Sequence, residues 1–598
     1  MVVEVGLRAA VEAWIGDDPD ERDREELRAL LDRAAGDDGA AAELLDRFAG
    51  RLTFGTAGLR GAIGAGPNRM NRAVVRAATA AVAGWLTDTT GAAARPAGTG
   101  TIPPSARAAV VVGCDARHRS AEFADEVARV LAGAGIRVLL LPRPGPTPLL
   151  AFAVRWLAAG AGVMITASHN PAEDNGYKLY LSDGAQVIPP VDAEIESRIA
   201  RLGPLAAIPA ASLDDPLIVR IGDEVAKAYL EAVAAPRTGG ARAAQPRLAI
   251  VYTPLHGVAG DLMLRAMERA GFAAPHVVAA QAAPDPDFPT AWFPNPEEPG
   301  VLDLALADAQ RQDADLALAS DPDGDRLAVA WPNAPGAPGA PGAPAAIMDG
   351  AWRMLTGDQL GALLGAYLLE TEGARLASAG TQPLVATTIV SSTLLSKIAA
   401  AAGGCYRETL TGFKWIARAA DELGARGVTD VQFVFGYEEA LGYMAGQIVR
   451  DKDGIGAALA LLSLAAAAKL RGRTLHDAYD DLERAHGVHL TEQLNLRIPD
   501  TADVMRRIRA TPPSTLGGFP VQAVTDYAGP GTGLPPSDVL SYALPQARVA
   551  VRPSGTEPKI KAYLEVVEPA GDDLAAARAA AAGRMAPLRA SVSMLLTS

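Results

Sequence analysis

Ser168, His169 and Asn170 follow one another directly after an apolar run, Ala161 to Ile165, and Lys178 lies ten residues beyond the serine. A hydroxyl with a basic partner close by is a candidate nucleophile. The apolar run reads as a buried strand. Loops at the carboxyl ends of strands in open α/β sheets are where ligands bind. By itself a Ser-His-Asn run is also ordinary turn chemistry, so the rest of the chain decides its meaning.

A second apolar run, Ala314 to Ala319, feeds Ser320-Asp321-Pro322-Asp323-Gly324-Asp325-Arg326. Three carboxylates at alternate positions of one turn can converge on a hard cation such as Mg²⁺, which takes oxygen ligands in near-octahedral geometry. A calcium-binding EF-hand loop does not fit. Counted from Asp321, the sixth position is Arg326 instead of Gly and the twelfth is Pro332 instead of Glu.

Two further loops carry chemistry. In Arg552-Pro553-Ser554-Gly555-Thr556-Glu557-Pro558-Lys559, two cations flank two hydroxyls and a glycine. That set can cradle a phosphate, and it also reads as a turn between the strands Arg548–Val551 and Lys559–Val566. It is not a P-loop, because Gly-Lys-Ser/Thr occurs nowhere in the chain. Phe433-Val434-Phe435-Gly436-Tyr437 runs into Glu438-Glu439-Ala440-Leu441-Gly442. Its two carboxylates can accept from sugar hydroxyls, act as an acid/base pair, or sit at a helix start.

These four loops, in this order and joined by Phe54-Gly55-Thr56-Ala57-Gly58-Leu59-Arg60-Gly61, resemble the α-D-phosphohexomutase superfamily over nearly the whole chain from about residue 50. Thr253-Pro254-Leu255-His256-Gly257 and Gly436-Tyr437-Glu438-Glu439-Ala440 are similar to its phosphoglucomutase-2/phosphopentomutase branch, although many phosphoglucomutases carry Ser where this chain has Ala440. The resemblance implies an isomerase that moves phosphate between C1 and the terminal hydroxyl of a sugar, C6 of a hexose or C5 of a pentose. The route is a phosphoserine and a bisphosphate intermediate. It implies Ser168 as the phosphorylated residue and Asp321, Asp323 and Asp325, with an oxygen on Ser168, as ligands of one Mg²⁺ per chain. Lys178 matches the proton-transfer candidate, and Arg60 and His169 lie beside it in motifs lining the reaction centre. Arg326, Thr411, Gly412, Lys414, Glu438 and Glu439 match substrate-binding positions. Arg552, Ser554, Gly555 and Thr556, with Lys559 after them, match the binder of the phosphate that is not transferred. A sugar bisphosphate is the implied activator. A sugar-1,6-bisphosphate synthase would share these motifs, and a silent sugar-phosphate sensor is the rival from another class.

The bulk numbers agree with a multidomain enzyme. At 598 residues the chain exceeds a single core. With 55 Lys and Arg against 69 Asp and Glu, its net charge of −14 argues against nucleic-acid partners. Positive charge must then be concentrated where anionic sugar phosphates bind. Two cysteines make no disulfide framework and read as small core residues. The N-terminus lacks a basic start followed by an apolar stretch, and the longest apolar-rich run, Gly454 to Ala468, is shorter than the ~20 residues of a membrane helix. The expectation is a cytoplasmic protein with neither membrane nor nucleic acid as partner.

Residues 17–50 read as helical. Beyond them, apolar strands alternate with Ala/Leu-rich helices, the pattern of sheets covered on both faces. The expected class is α/β: three related domains with mixed sheets, each donating one loop to a central cleft, and a smaller C-terminal α+β domain. The spans are 1–225 (helical extension and serine loop), 226–346 (metal loop), 347–490 (sugar loop) and 491–598 (phosphate loop). Thr90–Arg107 and the Ala-Pro-Gly repeat at Pro335–Pro344 contain little to bury and read as flexible insertions.

Overall fold

The computed structural model of the chain describes residues 5–55, 58–90, 109–235, 247–333, 352–554 and 559–597. Of the two expected insertions, Thr90–Arg107 lies outside the described residues except for Thr90 and Pro335–Pro344 lies wholly outside them, as do Gly555 and Thr556 of the phosphate loop. The chain divides into two compact units: residues 1–240, 249–327 and 448–459, and residues 241–248, 328–447 and 460–598.

The first unit opens with three helices, Val5–Asp17, Glu21–Arg33 and Asp38–Arg47. The expected helical stretch is thus two helices plus an earlier one. The break falls where the Asp37 side chain accepts from the Gly39 N–H and starts a new helix. Val11, Leu27, Leu30 and Leu44 form a small core of their own.

Six strands follow: β1 Leu59–Ala62, β2 Val110–Cys114, β3 Val138–Leu140, β4 Ala161–Ile165, β5 Asp174–Leu181 and β6 Ile218–Arg220. They form one sheet in the order β1-β5-β4-β2-β3-β6. β4, β2, β3 and β6 run parallel to one another, and β5 pairs antiparallel with β4 and β1, so the sheet is mixed. Val110, Val111 and Val112 are all fully buried, as strands covered on both faces require. Three further strands, β7 Ile250–Thr253, β8 His276–Val277 and β9 Leu316–Ser320, pair in parallel with β7 central.

In the second unit, β10 Leu327–Pro332 pairs antiparallel with β11 Trp352–Met354. A mixed sheet is built from β12 Gln382–Thr388, β13 Cys405–Thr409, β14 Val431–Glu438 and β15 Gly442–Ala445 in the order β13-β12-β14-β15. The last sheet is antiparallel throughout. It comprises β16 Val488–Arg497, the strands Ala523–Asp526 and Leu540–Leu544, and the long strands Ala547–Pro553 and Lys559–Glu568. The helix Leu574–Thr597 lies against it and shares its core through Ala581, Met585, Leu588 and Val592. The expected class, three α/β domains and one α+β domain, is the one found.

The run at Gly454 is a helix, Gly454–Leu470, whose first ten residues are all buried. Among the described residues no single helix is long and apolar enough to cross a membrane.

Candidate functional site

The serine loop leaves β4 sharply. The Ser168 N–H donates to Thr166 Oγ1 at 2.9 Å, and Ser168 adopts a left-handed backbone, φ 55°, where a side chain is strained. Its hydroxyl is buried. Oγ donates to Asp321 Oδ2 at 2.9 Å and lies 3.2 Å from His169 Nδ1. The Phe293 ring meets His169 edge-on. Burial, with Arg326 and Arg60 close by, pushes the His169 imidazole well below its ordinary range, so it is neutral. Arg60, on β1, donates to Asn170 Oδ1 at 2.9 Å.

The metal turn follows β9, whose five residues are all buried. Gly324, at φ 70° with its N–H on the Asp321 carbonyl, lets the chain reverse in the left-handed region. Asp321, Asp323 and Asp325 are each 0 % exposed, and one ligand atom from each lies within 4.8 Å of the others. The Arg326 N–H donates to Asp321 Oδ1 at 3.0 Å. Thr147 Oγ1 donates to Asp323 Oδ2 at 2.5 Å.

Lys178 reaches this cluster from β5, opposite Met164 of β4. Its Nζ is 2.7 Å from Asp323 Oδ2 and 3.1 Å from Asp325 Oδ2. Burial works against the ammonium, but the two carboxylates win and raise the Lys178 pKa. Burial likewise pushes Asp323 up, and Lys178 more than reverses it, leaving that carboxyl below its ordinary range. Asp321 has only the Arg326 Nε at 3.9 Å from its Oδ2; burial, with its two acidic neighbours, outweighs that cation and drives Asp321 well up.

Each of Asp323 and Asp325 therefore spends Oδ2 on an ammonium. Oδ1 of both is buried without a hydrogen-bond partner. Two bare carboxylate oxygens at 0 % exposure are costly unless a cation meets them. The donor set is all oxygen and tightly grouped, which fits Mg²⁺.

Two cations in this unit were not singled out from the sequence. Lys452 Nζ is 3.3 Å from Asp325 Oδ2, on the segment Arg450-Asp451-Lys452-Asp453-Gly454. That segment is anchored by Tyr180 and Gln186 donating to Asp451 Oδ2, at 2.7 and 2.8 Å, and by Tyr229 donating to Asp453 Oδ1 at 2.7 Å. Alternating charges before an apolar helix were the available signal. Arg117, in the turn that follows β2, is the other.

The remaining predicted residues lie in the second unit. Glu439 Oε2 accepts from Thr388 Oγ1 and Ser391 Oγ, both at 3.3 Å. Gly357 lies under this loop; a Cβ there would meet the Glu439 carbonyl at 1.9 Å, so only glycine fits. Glu438 ends β14 and is partly exposed. In the Thr411–Lys414 loop, Gly412 takes φ 108° and the buried Lys414 places its Nζ 5.5 Å from the Trp415 ring centre. Arg552 reaches Tyr563 Oη at 3.4 Å from two of its nitrogens, and its charge is supported by Tyr563, Glu439 and Glu438. Ser554 and Lys559 close the base of the phosphate hairpin through a 2.8 Å backbone bond. The sequence thus located two groups: serine, metal, Arg60, Arg326 and lysine residues in the first unit, and sugar and phosphate loops in the second.

The chain matches four family models in succession. They are described as phosphoglucomutase/phosphomannomutase alpha/beta/alpha domains I, II and III, over residues 51–204, 227–335 and 356–485, and the C-terminal domain over 494–582. It is 39% identical over 468 residues to a "Probable phosphomannomutase" of Haemophilus influenzae, covering 76% of this chain and 87% of that one. It is 34% identical over 590 residues to a "Probable phosphoribomutase" of Schizosaccharomyces pombe, covering 93% of each. The crystal structure of a phosphoglucomutase/phosphomannomutase family protein from Burkholderia thailandensis shares the fold, with a TM-score of 0.64 at 21% identity, covering 91% of this chain and 97% of that one.

Proposed function

The chain belongs to the phosphoglucomutase/phosphomannomutase family and is a phosphosugar mutase, and from that premise we propose that it carries the travelling phosphate on Ser168 and acts on pentose as well as hexose 1-phosphates. The observation that carries the reading is the Ser168 hydroxyl held between Asp321 and His169, with Lys178 paired to the other two aspartates.

Phosphate on Ser168 passes to the free hydroxyl of a bound sugar monophosphate. The P–O bond to Ser168 Oγ breaks, a P–O bond to the sugar oxygen forms, and the hydroxyl proton leaves to a base. Ser168 Oγ takes up a proton as it leaves. The bisphosphate turns over; the P–O bond to its other sugar oxygen then breaks, that oxygen takes a proton, and a P–O bond to Ser168 Oγ forms as the Ser168 proton leaves. His169 Nδ1, 3.2 Å from Oγ, is placed to take that second proton. Lys178, paired with Asp323 and Asp325 as an ammonium, is assigned to the reaction centre beside Ser168. Asp321, Asp323 and Asp325 would hold Mg²⁺, which would neutralise the charge spread over the phosphoryl oxygens. Phosphorylation of Ser168 removes the O–H that Asp321 Oδ2 now accepts. That carboxylate then becomes a third oxygen in need of a cation.

Arg60 is assigned to the reaction centre beside Ser168; Arg326 in the first unit, and Thr411, Gly412, Lys414, Glu438 and Glu439 in the second, are assigned to substrate contacts. Arg552, Ser554, Gly555, Thr556 and Lys559 are assigned to the phosphate at rest. The proposed domain spans are 1–225, 226–346, 347–490 and 491–598, with β11 pairing to β10 across the second bound and β16 running across the third. Pentose use is supported by the even, 93% two-way coverage of the fission-yeast relative named as a phosphoribomutase, and by Ala440 in place of a sugar-loop hydroxyl.

The test is a turnover panel of ribose, deoxyribose, glucose and mannose 1-phosphates, with Mg²⁺ and a trace of the matching bisphosphate, on wild type and Ser168→Ala. The reading expects ribose and glucose 1-phosphates both to turn over and Ser168→Ala to turn over none. Activity of Ser168→Ala near wild type refutes it.

A further inference from the structure

Residues 167–173, between β4 and β5, form no strand ladder, so their carbonyls need donors from elsewhere. Backbone N–H groups meet those of Ala167, Pro171 and Glu173, and Arg117 supplies donors to Ser168, Asn170 and Pro171 and to Asp174 at the start of β5. Its Nη2 donates to the carbonyl oxygens of Ser168 at 2.7 Å and Asn170 at 2.5 Å, and its Nη1 to those of Pro171 at 2.6 Å and Asp174 at 3.2 Å. The side chain is 1 % exposed, with Asp115 Oδ2 at 3.3 Å from Nε as counter-charge and the Phe288 ring 4.9 Å away.

Arg117 is itself fixed. Its N–H donates to Asp115 Oδ1 at 3.0 Å, and the same oxygen accepts from Ser120 Oγ at 2.6 Å. Asn175 donates to the His118 carbonyl and to Ser120 Oγ, both at 2.9 Å, tying this turn to the start of β5. Arg119, two residues on, is held by Asp20 at 2.5 Å and Asp23 at 2.7 Å. The N-terminal helices thereby buttress the same turn.

Ser168 sits at φ 55°, a conformation that persists in a non-glycine residue only when its surroundings over-determine it. Relaxing φ to negative values would swing Oγ away from both Asp321 and His169. We propose that Arg117 is a positioning residue for phosphoryl transfer. Its guanidinium fork grips four carbonyls of the serine loop and holds Ser168 in the strained conformation that aims its hydroxyl at the metal turn. A lysine, one compact charge without a planar fork, cannot reproduce that grip. The inference rests on Ser168 as the phosphate carrier.

The experiment compares wild type, Ser168→Ala, Arg117→Lys and Asp115→Asn as full chains. It measures kcat and KM for glucose 1-phosphate. It also follows, by intact mass, the rate at which glucose 1,6-bisphosphate places a phosphate on the protein. Displacing a reacting group by about 1 Å can cost about a hundredfold in rate. Arg117→Lys is expected to lose kcat and labelling rate on that order, with KM within about threefold of wild type. A merely structural role would lower the unfolding temperature without this split. Asp115→Asn keeps the acceptor for the Arg117 N–H and Ser120 but loses the counter-charge, so it is expected to show a smaller loss of the same kind. A folded Arg117→Lys that labels and turns over like wild type overturns the proposal. If Arg117→Lys does not fold, unchanged kcat and labelling in Asp115→Asn overturns it. A wild type that labels anywhere but Ser168, or not at all, refutes the phosphoserine reading and this inference with it.

Discussion

Asp358 offers a test of how the second unit carries its buried charge. Its carboxyl is 8% exposed. Burial raises its pKa first, with Glu439 and Glu565 adding to the effect. The Ser392 N–H and the Tyr437 hydroxyl oppose, and the net result is a rise from 3.8 to about 6. A carboxyl whose folded pKa is raised contributes stability that is present below its unfolded value and lost as pH rises through the folded one. The shift is roughly 2 units at ~1.4 kcal/mol each, so the ionised group costs on the order of 3 kcal/mol at pH 8. Asp358→Asn removes the titration. It keeps the acceptor, since both donors use the single oxygen Oδ1, at 2.7 and 3.0 Å. The stability of Asp358→Asn relative to wild type should therefore grow by about 1.5 kcal/mol between pH 5 and pH 8. A constant offset from the amide itself cancels in that difference. The assay is calorimetric unfolding of both proteins across that range. At ~2–4 °C per kcal/mol for a unit of this size, the gap in transition temperature should widen by several degrees. A gap that stays constant with pH refutes the reasoning, because it means Asp358 has the same pKa folded and unfolded.

Asp323→Asn should raise the Mg²⁺ concentration needed for half-maximal activity by about tenfold or more, measured by metal titration of the rate. In chelator the same variant should be less stable, by up to ~3 kcal/mol, because Lys178 loses its nearer partner. Ala440→Ser should move the ratio of kcat/KM for glucose 1-phosphate over ribose 1-phosphate toward glucose, by an amount within ~1–3 kcal/mol. The Tyr437 hydroxyl is committed to Asp358 and so does not already fill that role; an unmoved ratio refutes the assignment. Glu438→Ala should lower kcat/KM for both sugars, and a loss confined to one would show that Glu438 reads the sugar instead of holding it.

What was legible in the sequence follows from what each feature needs locally. β4, β9 and β14 are continuous apolar runs because their sheets are covered, and each ends in polar residues that have no packing role, so strand and loop are both visible. The three aspartates declare a cation site because three carboxylates so close are unfavourable without one. Arg117 was hidden because its partners are backbone carbonyls, which leave no mark on residue identity. Lys452 was hidden because it meets Asp325 only after the chain has passed through the third sheet and returned. The buried network around Glu565 was hidden for the same reason. Ser392 donates to Glu565 Oε1 at 2.7 Å, His489 Nδ1 lies 2.8 Å from it, and Arg548 Nε is 3.1 Å from Oε2. No two of these four residues are near in sequence, although together they hold Glu565 down to about 2. The first helix, Val5–Asp17, was missed because its sequence lacks the acidic first turn and basic last turn that mark helix ends.

The central claim is that the phosphate travels on Ser168. The most direct measurement is to incubate the protein with glucose 1,6-bisphosphate and Mg²⁺, digest it, and locate the phosphate by peptide mass mapping. The account predicts one phosphate per chain on Ser168, lost again when a sugar monophosphate is added, and none on Ser168→Ala. Phosphate on any other residue, or an unlabelled wild type that still turns over sugar 1-phosphates, would contradict it.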